Sequence, residues 1–116
     1  MSETTNFSWL FSLQDDRGIF REISRGVNAR IFPGERSMVS VVRIDRYSSH
    51  EVHSHPEEQW GVLLEGECVR IQDGQEVRVR AGNFWHTPPN VPHGIRTEEH
   101  AALLLDLFSP ARSDYL

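Results

Sequence analysis

Of the six histidines in this chain, three, His50, His53 and His55, fall close together. Neutral imidazole is the commonest protein ligand for transition metals, so the cluster is read first as a metal site. His53 and His55 are separated by one residue, and in an extended segment such side chains leave the same face, so two imidazoles converge. Pro56 permits a turn after the pair. Gln59 opens the apolar run QWGVLLE, where its amide oxygen serves as a third ligand. The fourth, His93, comes from far along the chain, just after PPNVP, whose prolines fix the direction of the next strand. With three imidazoles and a neutral amide, a divalent ion keeps its full charge, draws anionic ligands and polarises a bound oxygen strongly. These ligand types admit one divalent transition metal ion, Zn, Ni, Mn or Fe(II). Glu57 and Glu58, in a polar turn beside Pro56, are expected in solvent.

A second cluster lies near the end, where LLLDLFSPAR sets one carboxylate, Asp106, inside an apolar run. A buried carboxylate needs a partner or a task. Alternation puts Asp106 and Phe108 on one face and Leu105 and Leu107 on the other, and a turn at Pro110 brings Arg112 back toward the first. An Asp106–Arg112 pair that pins the tail is the plain structural outcome; a catalytic carboxylate is the functional one. The other candidates carry less. His50 (YSSHE) and His100 (EEH) are expected in exposed turns, His86 as a strand cap, and Cys68, without a basic neighbour to favour thiolate, as packing.

The elements that must hold these groups are strands. Helix-period segments are missing, while short β-branched and aromatic runs recur between Gly, Pro and Asp-Gly punctuation. Strands are expected at 18–23, 27–32, 37–45, 59–65, 67–72, 76–80, 83–86, 93–97 and 101–108. Such short, evenly spaced strands predict an all-β barrel or sandwich, a single domain with a core over about 27–108 and arms at 1–17 and 109–116. In the Asp73-Gly74 hairpin, placing Val69 and Ile71 on one face with Val77 and Val79 requires an even pairing sum, hence a bulge or an odd loop. Arg70, Arg78 and Arg80 then line a solvated face. Trp60, Val62 and Leu64 fall opposite Gln59, and an apolar outer face predicts cover by an arm or a second subunit, hence a homodimer.

The 116 residues suit one domain, and 12 Lys and Arg against 17 Asp and Glu disfavour nucleic acid and anionic membrane surfaces. One cysteine gives no internal disulfide. The start, MSETTNFSWLFSL, lacks a basic segment followed by a long apolar run, and no stretch is apolar enough to span a membrane. These features predict a cytoplasmic protein.

The segment HSHPEEQWGVLLEG resembles the first cupin motif, matched by His53, His55, Gln59 and Gly66. The second motif is met by Gly82, Pro88 and His93, with Asn90 where that family usually has Gly and Thr97 where it has Asn. The resemblance implies a cupin double-stranded β-helix, or jelly-roll, barrel around a metal. The chain end is similar to that of the small pectin-degradation cupins of KdgF type, which assist ring opening of unsaturated uronic acid monomers. Gln59 matches their Gln ligand, and Asp106, Phe108 and Arg112 match their Asp-x-Phe-x-x-x-Arg spacing. This likeness implies that Asp106 moves protons, Phe108 packs on the sugar ring and Arg112 grips a carboxylate of a small anionic ligand. Two alternatives stand beside it: a metal-dependent dioxygenase, which three-His sites also support, and a non-enzymatic small-molecule or metal-binding module.

Overall fold

A computed structural model describes residues 7–116; residues 1–6 of the expected amino-terminal arm lie outside it. Nine antiparallel strands form among the described residues: β1 (Ile19–Ser24), β2 (Val27–Pro33), β3 (Met38–Ile44), β4 (Ser49–His53), β5 (Glu58–Gln72), β6 (Gln75–Arg80), β7 (Phe84–Thr87), β8 (His93–Arg96) and β9 (Ala102–Ser109). A 3-10 turn over Ser113–Tyr115 follows. The chain is all-β, and the sheet curls into a jelly-roll barrel. Its neighbours run β1-β2-β3-β9-β5-β8-β4, with β6 and β7 also paired to β5.

Strand β5 joins the two walls. Its first half pairs with β9 and β7, its second with β8 and β6. Two separate strands were expected here, yet the run is continuous over 15 residues, with a register shift between Leu63 and Glu65. Gly66 marks the crossing. Its φ is +85°, and a Cβ there would lie 1.9 Å from the Ala101 carbonyl oxygen, so only glycine lets the backbones approach. Strand β4 was not expected. The polar segment SSHEV carries no apolar alternation, and pairing with β8, interrupted between His50 and His53, makes it a strand.

The Asp73-Gly74 hairpin corrects the expected register. Cys68 pairs with Val79 and Arg70 with Val77, an odd sum, joined by a two-residue turn with both residues at positive φ. Cys68, Arg70 and Gln72 thereby share one face. Cys68 and Arg70 are buried, whereas Arg78 and Arg80 are exposed as expected. Arg70 is therefore not on a solvated face.

Alternation along the remaining strands fills the barrel with Val27, Ala29, Ile31, Met38, Val42, Ile44, Leu63 and Leu104. Each large aliphatic side chain so buried contributes about 1.5–3 kcal/mol. On the outside, Phe11 of the arm packs on Phe32 with ring centroids 5.1 Å apart, and Arg43 donates to the Leu13 carbonyl. Trp60, Phe84 and Leu107 stay exposed. No helix among the described residues is long and apolar enough to cross a membrane.

Candidate metal centre

The four expected ligands meet at one end of the barrel. His53 closes β4, His55 lies in the following turn, Gln59 is the second residue of β5, and His93 opens β8 directly opposite His53. One ring nitrogen from each of His53, His55 and His93 lies within 4.8 Å of the others. Ring centroids are 4.5 Å apart for His53 and His93 and 4.7 Å for His55 and His93. The turn before His93 is made by Asn90 at φ 66°, a left-handed position that Asn tolerates in place of glycine. Thr97 has a structural task, bonding the Asp45 carbonyl and the Ser48 amide.

The hydrogen bonds fix which nitrogen each ring offers. Nδ1 of His53 sits 2.8 Å from the Glu51 carbonyl, Nδ1 of His55 3.0 Å from that of Glu57, and Nδ1 of His93 2.8 Å from that of Val91. A carbonyl oxygen only accepts, so each Nδ1 carries the proton and each neutral ring offers a bare Nε2 lone pair. Gln59 Oε1 lies 3.1 Å from His55 Nε2. Four acceptors thus converge with no proton among them. That arrangement is unfavourable alone and fits a divalent cation with a preference for nitrogen and oxygen donors.

Burial keeps these rings neutral. It is the largest cause in each case, lowering His93 to about 3 and pulling His53 and His55 below the ordinary imidazole value. Glu57 is less solvated than expected: its side chain is 13% exposed, with a carboxylate oxygen 3.4 Å from His55 Nδ1. Glu58 faces outward and pairs with His86 at 2.6 Å, and His86 packs against Trp60, so His86 belongs to the outer surface.

Below the ligands the barrel interior is arranged in rows across β7, β5, β9 and β3. Thr87, Gln59, Phe108 and Met38 form the row at the metal level; Trp85, Gly61, Asp106 and Ser40 form the next. Gly61 makes this second row possible. A Cβ there would lie 2.4 Å from Trp85 Nε1 and 2.8 Å from Asp106 Oδ1, so any side chain would displace both. Burial raises Asp106 to about 6, opposed first by Arg70, then by the Gln59 hydrogen bond and Arg112. Burial thus favours the protonated form of this carboxyl more than solvent would.

Phe108 is 2% exposed, with its ring edge-on to His55 at 5.6 Å and to Tyr115 at 6.0 Å. Arg112 borders the same cavity, but the plain expectation of an Asp106–Arg112 pair is replaced. Its Nε and Nη2 grip Asp114 at 3.2 and 2.7 Å, and its Nη1 donates to the Tyr115 hydroxyl at 3.0 Å. The 3-10 turn after Pro110 places Asp114 closer to the guanidinium than β9 places Asp106.

Two further cavity residues escaped sequence reasoning. His50 was expected in solvent; it lines the cavity instead, its ring 4.3 Å from that of His53. Burial first, then the His53 charge, lowers it to about 4. Arg70 is 7% exposed and also borders the cavity. Cys68 is buried as expected, its thiol pushed up to about 11 by desolvation.

Comparison with known proteins agrees with this geometry. The Cupin domain family model matches residues 40–108. The chain is 24% identical over 108 residues to the pectin degradation protein KdgF of Dickeya dadantii, across 88% of this chain and 94% of that protein. It is 32% identical over 67 residues to a quercetin 2,3-dioxygenase of Bacillus subtilis, across 58% of this chain but 18% of that protein, so the chain spans under a fifth of this relative's length. Among solved structures, KdgF from a Halomonas species superposes with a TM-score of 0.77 at 27% identity, covering 84% of this chain and 91% of that one.

Proposed function

This chain belongs to the cupin domain family, and from that premise we propose that it is a metal-dependent enzyme that opens the ring of an unsaturated uronate, or a closely similar small sugar acid, without redox chemistry. One observation carries the reading: Asp106, a carboxyl raised to about 6, lies on the same interior face one row beneath the converging donors His53, His55, Gln59 and His93. Similarity to KdgF proteins along nearly the whole chain supports the choice of substrate class.

Opening a cyclic hemiacetal is an isomerisation. A hydroxyl proton leaves, the ring C–O bond breaks as a carbonyl forms, and the ring oxygen takes up a proton. Nothing is oxidised, and one group that accepts and returns a proton suffices. His53, His55, Gln59 and His93 would hold the ion, which supplies Lewis acidity toward a substrate oxygen. Asp106 carries the proton, and Gln59, one row above it on the same interior face and facing His55, lies between it and the ion's other ligands. Phe108 offers an apolar edge against which a sugar ring packs. The reading is tested by incubating the purified protein, its metal content measured, with unsaturated uronates under strictly anaerobic conditions while following the loss of the conjugated ultraviolet band. Full turnover is expected. Conversion that requires and consumes oxygen would overturn it.

The likeness to a quercetin 2,3-dioxygenase supports a second reading, a dioxygenase, over the segment they share. A carboxylate-free donor set favours the first, because oxygen-activating iron sites commonly include one carboxylate.

A further inference from the structure

The proposed reaction uses Arg70 only through the field by which it opposes the rise of Asp106, and no carboxylate is hydrogen-bonded to it among the described residues. The guanidinium is always ionised, so a buried one is costly unless its donors are matched. Its hydrogen bonds go to neutral oxygens: Nη2 donates to Thr87 Oγ1 at 2.8 Å and Nε to Gln72 Oε1 at 3.3 Å. Thr87 in turn donates to Gln72 Oε1 at 2.7 Å, and Gln72 donates to the His86 carbonyl at 2.8 Å. The planar group lies over the Trp85 ring at 5.3 Å. One edge of the fork is thus locked, while Nη1 makes no hydrogen bond to the described residues.

The same cavity exposes two more idle donors. Ser40 Oγ and Trp85 Nε1 are buried without a hydrogen-bond partner, and both residues border the cavity with Arg70. Ser40 is 1% exposed. Buried donors without partners are rare in folded proteins, and two of them beside a guanidinium with an unused nitrogen describe the complement of an oxyanion. About 40 Å³ is open there, enough for small polar groups. Arg112, by contrast, already has each of its nitrogens bonded within the carboxyl-terminal turn.

We propose that Arg70, with Ser40 and Trp85, is the pocket that receives the carboxylate of the acid, and that Arg112 instead holds the tail in place through Asp114. This deepens the reading of the ligand as a sugar acid and rests on it. The free Nη1 and the second proton of Nη2 form an end-on pair of donors matched to two carboxylate oxygens. The opposite edge, locked by Thr87 and Gln72, fixes the group before the ligand arrives, so little freedom is lost on binding.

The test is calorimetric titration of the metal-loaded protein with D-galacturonate and, separately, with glycolate, for the wild type and for Arg70→Met, Arg70→Lys and Arg112→Met. Loss of a charge-assisted bond predicts weakening of both acids by about ten- to a hundredfold in Arg70→Met, partial recovery in Arg70→Lys, and less than threefold change in Arg112→Met. A loss confined to Arg112→Met would overturn the assignment. Should glycolate bind through Arg70 while galacturonate does not bind, the sugar-acid reading falls and the pocket stands; should neither acid bind the wild type, both fall. If the Arg70 variants do not fold, wild-type crystals soaked in either acid decide. A carboxylate on Arg70 Nη1 supports the proposal, and one held only by Arg112 or the metal refutes it.

Discussion

The two halves of strand β9 face the same interior and do opposite work. Its first half places Leu104 between Leu63 of β5 and Val42 of β3, and Ala102 opposite Ile44 of β3, every one of them buried and apolar. Its second half places Asp106 and Phe108 beside Gln59, Gly61 and Ser40, where charge and unmatched donors accumulate. The strand, its neighbours and its alternation are the same in both halves. What differs is that one half offers only apolar side chains while the other keeps polar groups poised at an energetic cost, so apolar packing and the proposed chemistry are separable along a single strand.

The largest expected break in that division is Asp106→Asn. It removes the proposed proton carrier and is expected to lower turnover by about 10²–10⁴-fold, while leaving the melting temperature unchanged or higher, because a costly buried carboxyl becomes a neutral amide. Rates and thermal unfolding of the same preparation check both halves of the claim. Leu104→Ala should do the reverse, costing about 2–5 kcal/mol of stability in denaturant titration, with metal content per folded molecule unchanged.

Acid gives a smaller and graded contrast. His93 at about 3 and His50 at about 4, against an ordinary 6.5, take up protons on unfolding, so their contribution is intact above about 6.5 and lost as pH falls toward 4. Asp106 at about 6, against 3.8, acts in the opposite sense over 6 to 3.8. The imidazoles outnumber it, since His53 and His55 are lowered too. The chelator-treated protein should therefore lose stability from pH 6.5 downward, and Asp106→Asn should steepen that loss. Thermal unfolding across this range measures it; a flat profile would contradict the burial of the rings.

The convergence of His53, His55, Gln59 and His93 was legible because its signal does not depend on knowing the fold: His-x-His, a nearby Gln and a His that follows a Pro-rich segment are rare together. The strands of the apolar half were legible for the usual reason, alternation of Val, Ile and Leu. Arg70 was not. Reading Val69 and Ile71 as inward follows from assuming that apolar side chains face the core, and in the working half of this barrel the inward face of β5 carries Cys68, Arg70 and Gln72 instead. The two-residue turn at Asp73-Gly74 is the sequence signal that pointed the other way. His50 was hidden similarly, because β4 is a strand by pairing with β8 and not by composition.

The unbroken course of β5 through both walls sets a limit on length variation. Gln59, on one wall, and Arg70, on the other, are carried by one uninterrupted ribbon. A residue gained or lost between them would turn one of the two away from the interior. Insertions are therefore poorly tolerated over this stretch, whereas the exposed reversal at Ala81 and Gly82 offers a place to open the chain or graft a tag.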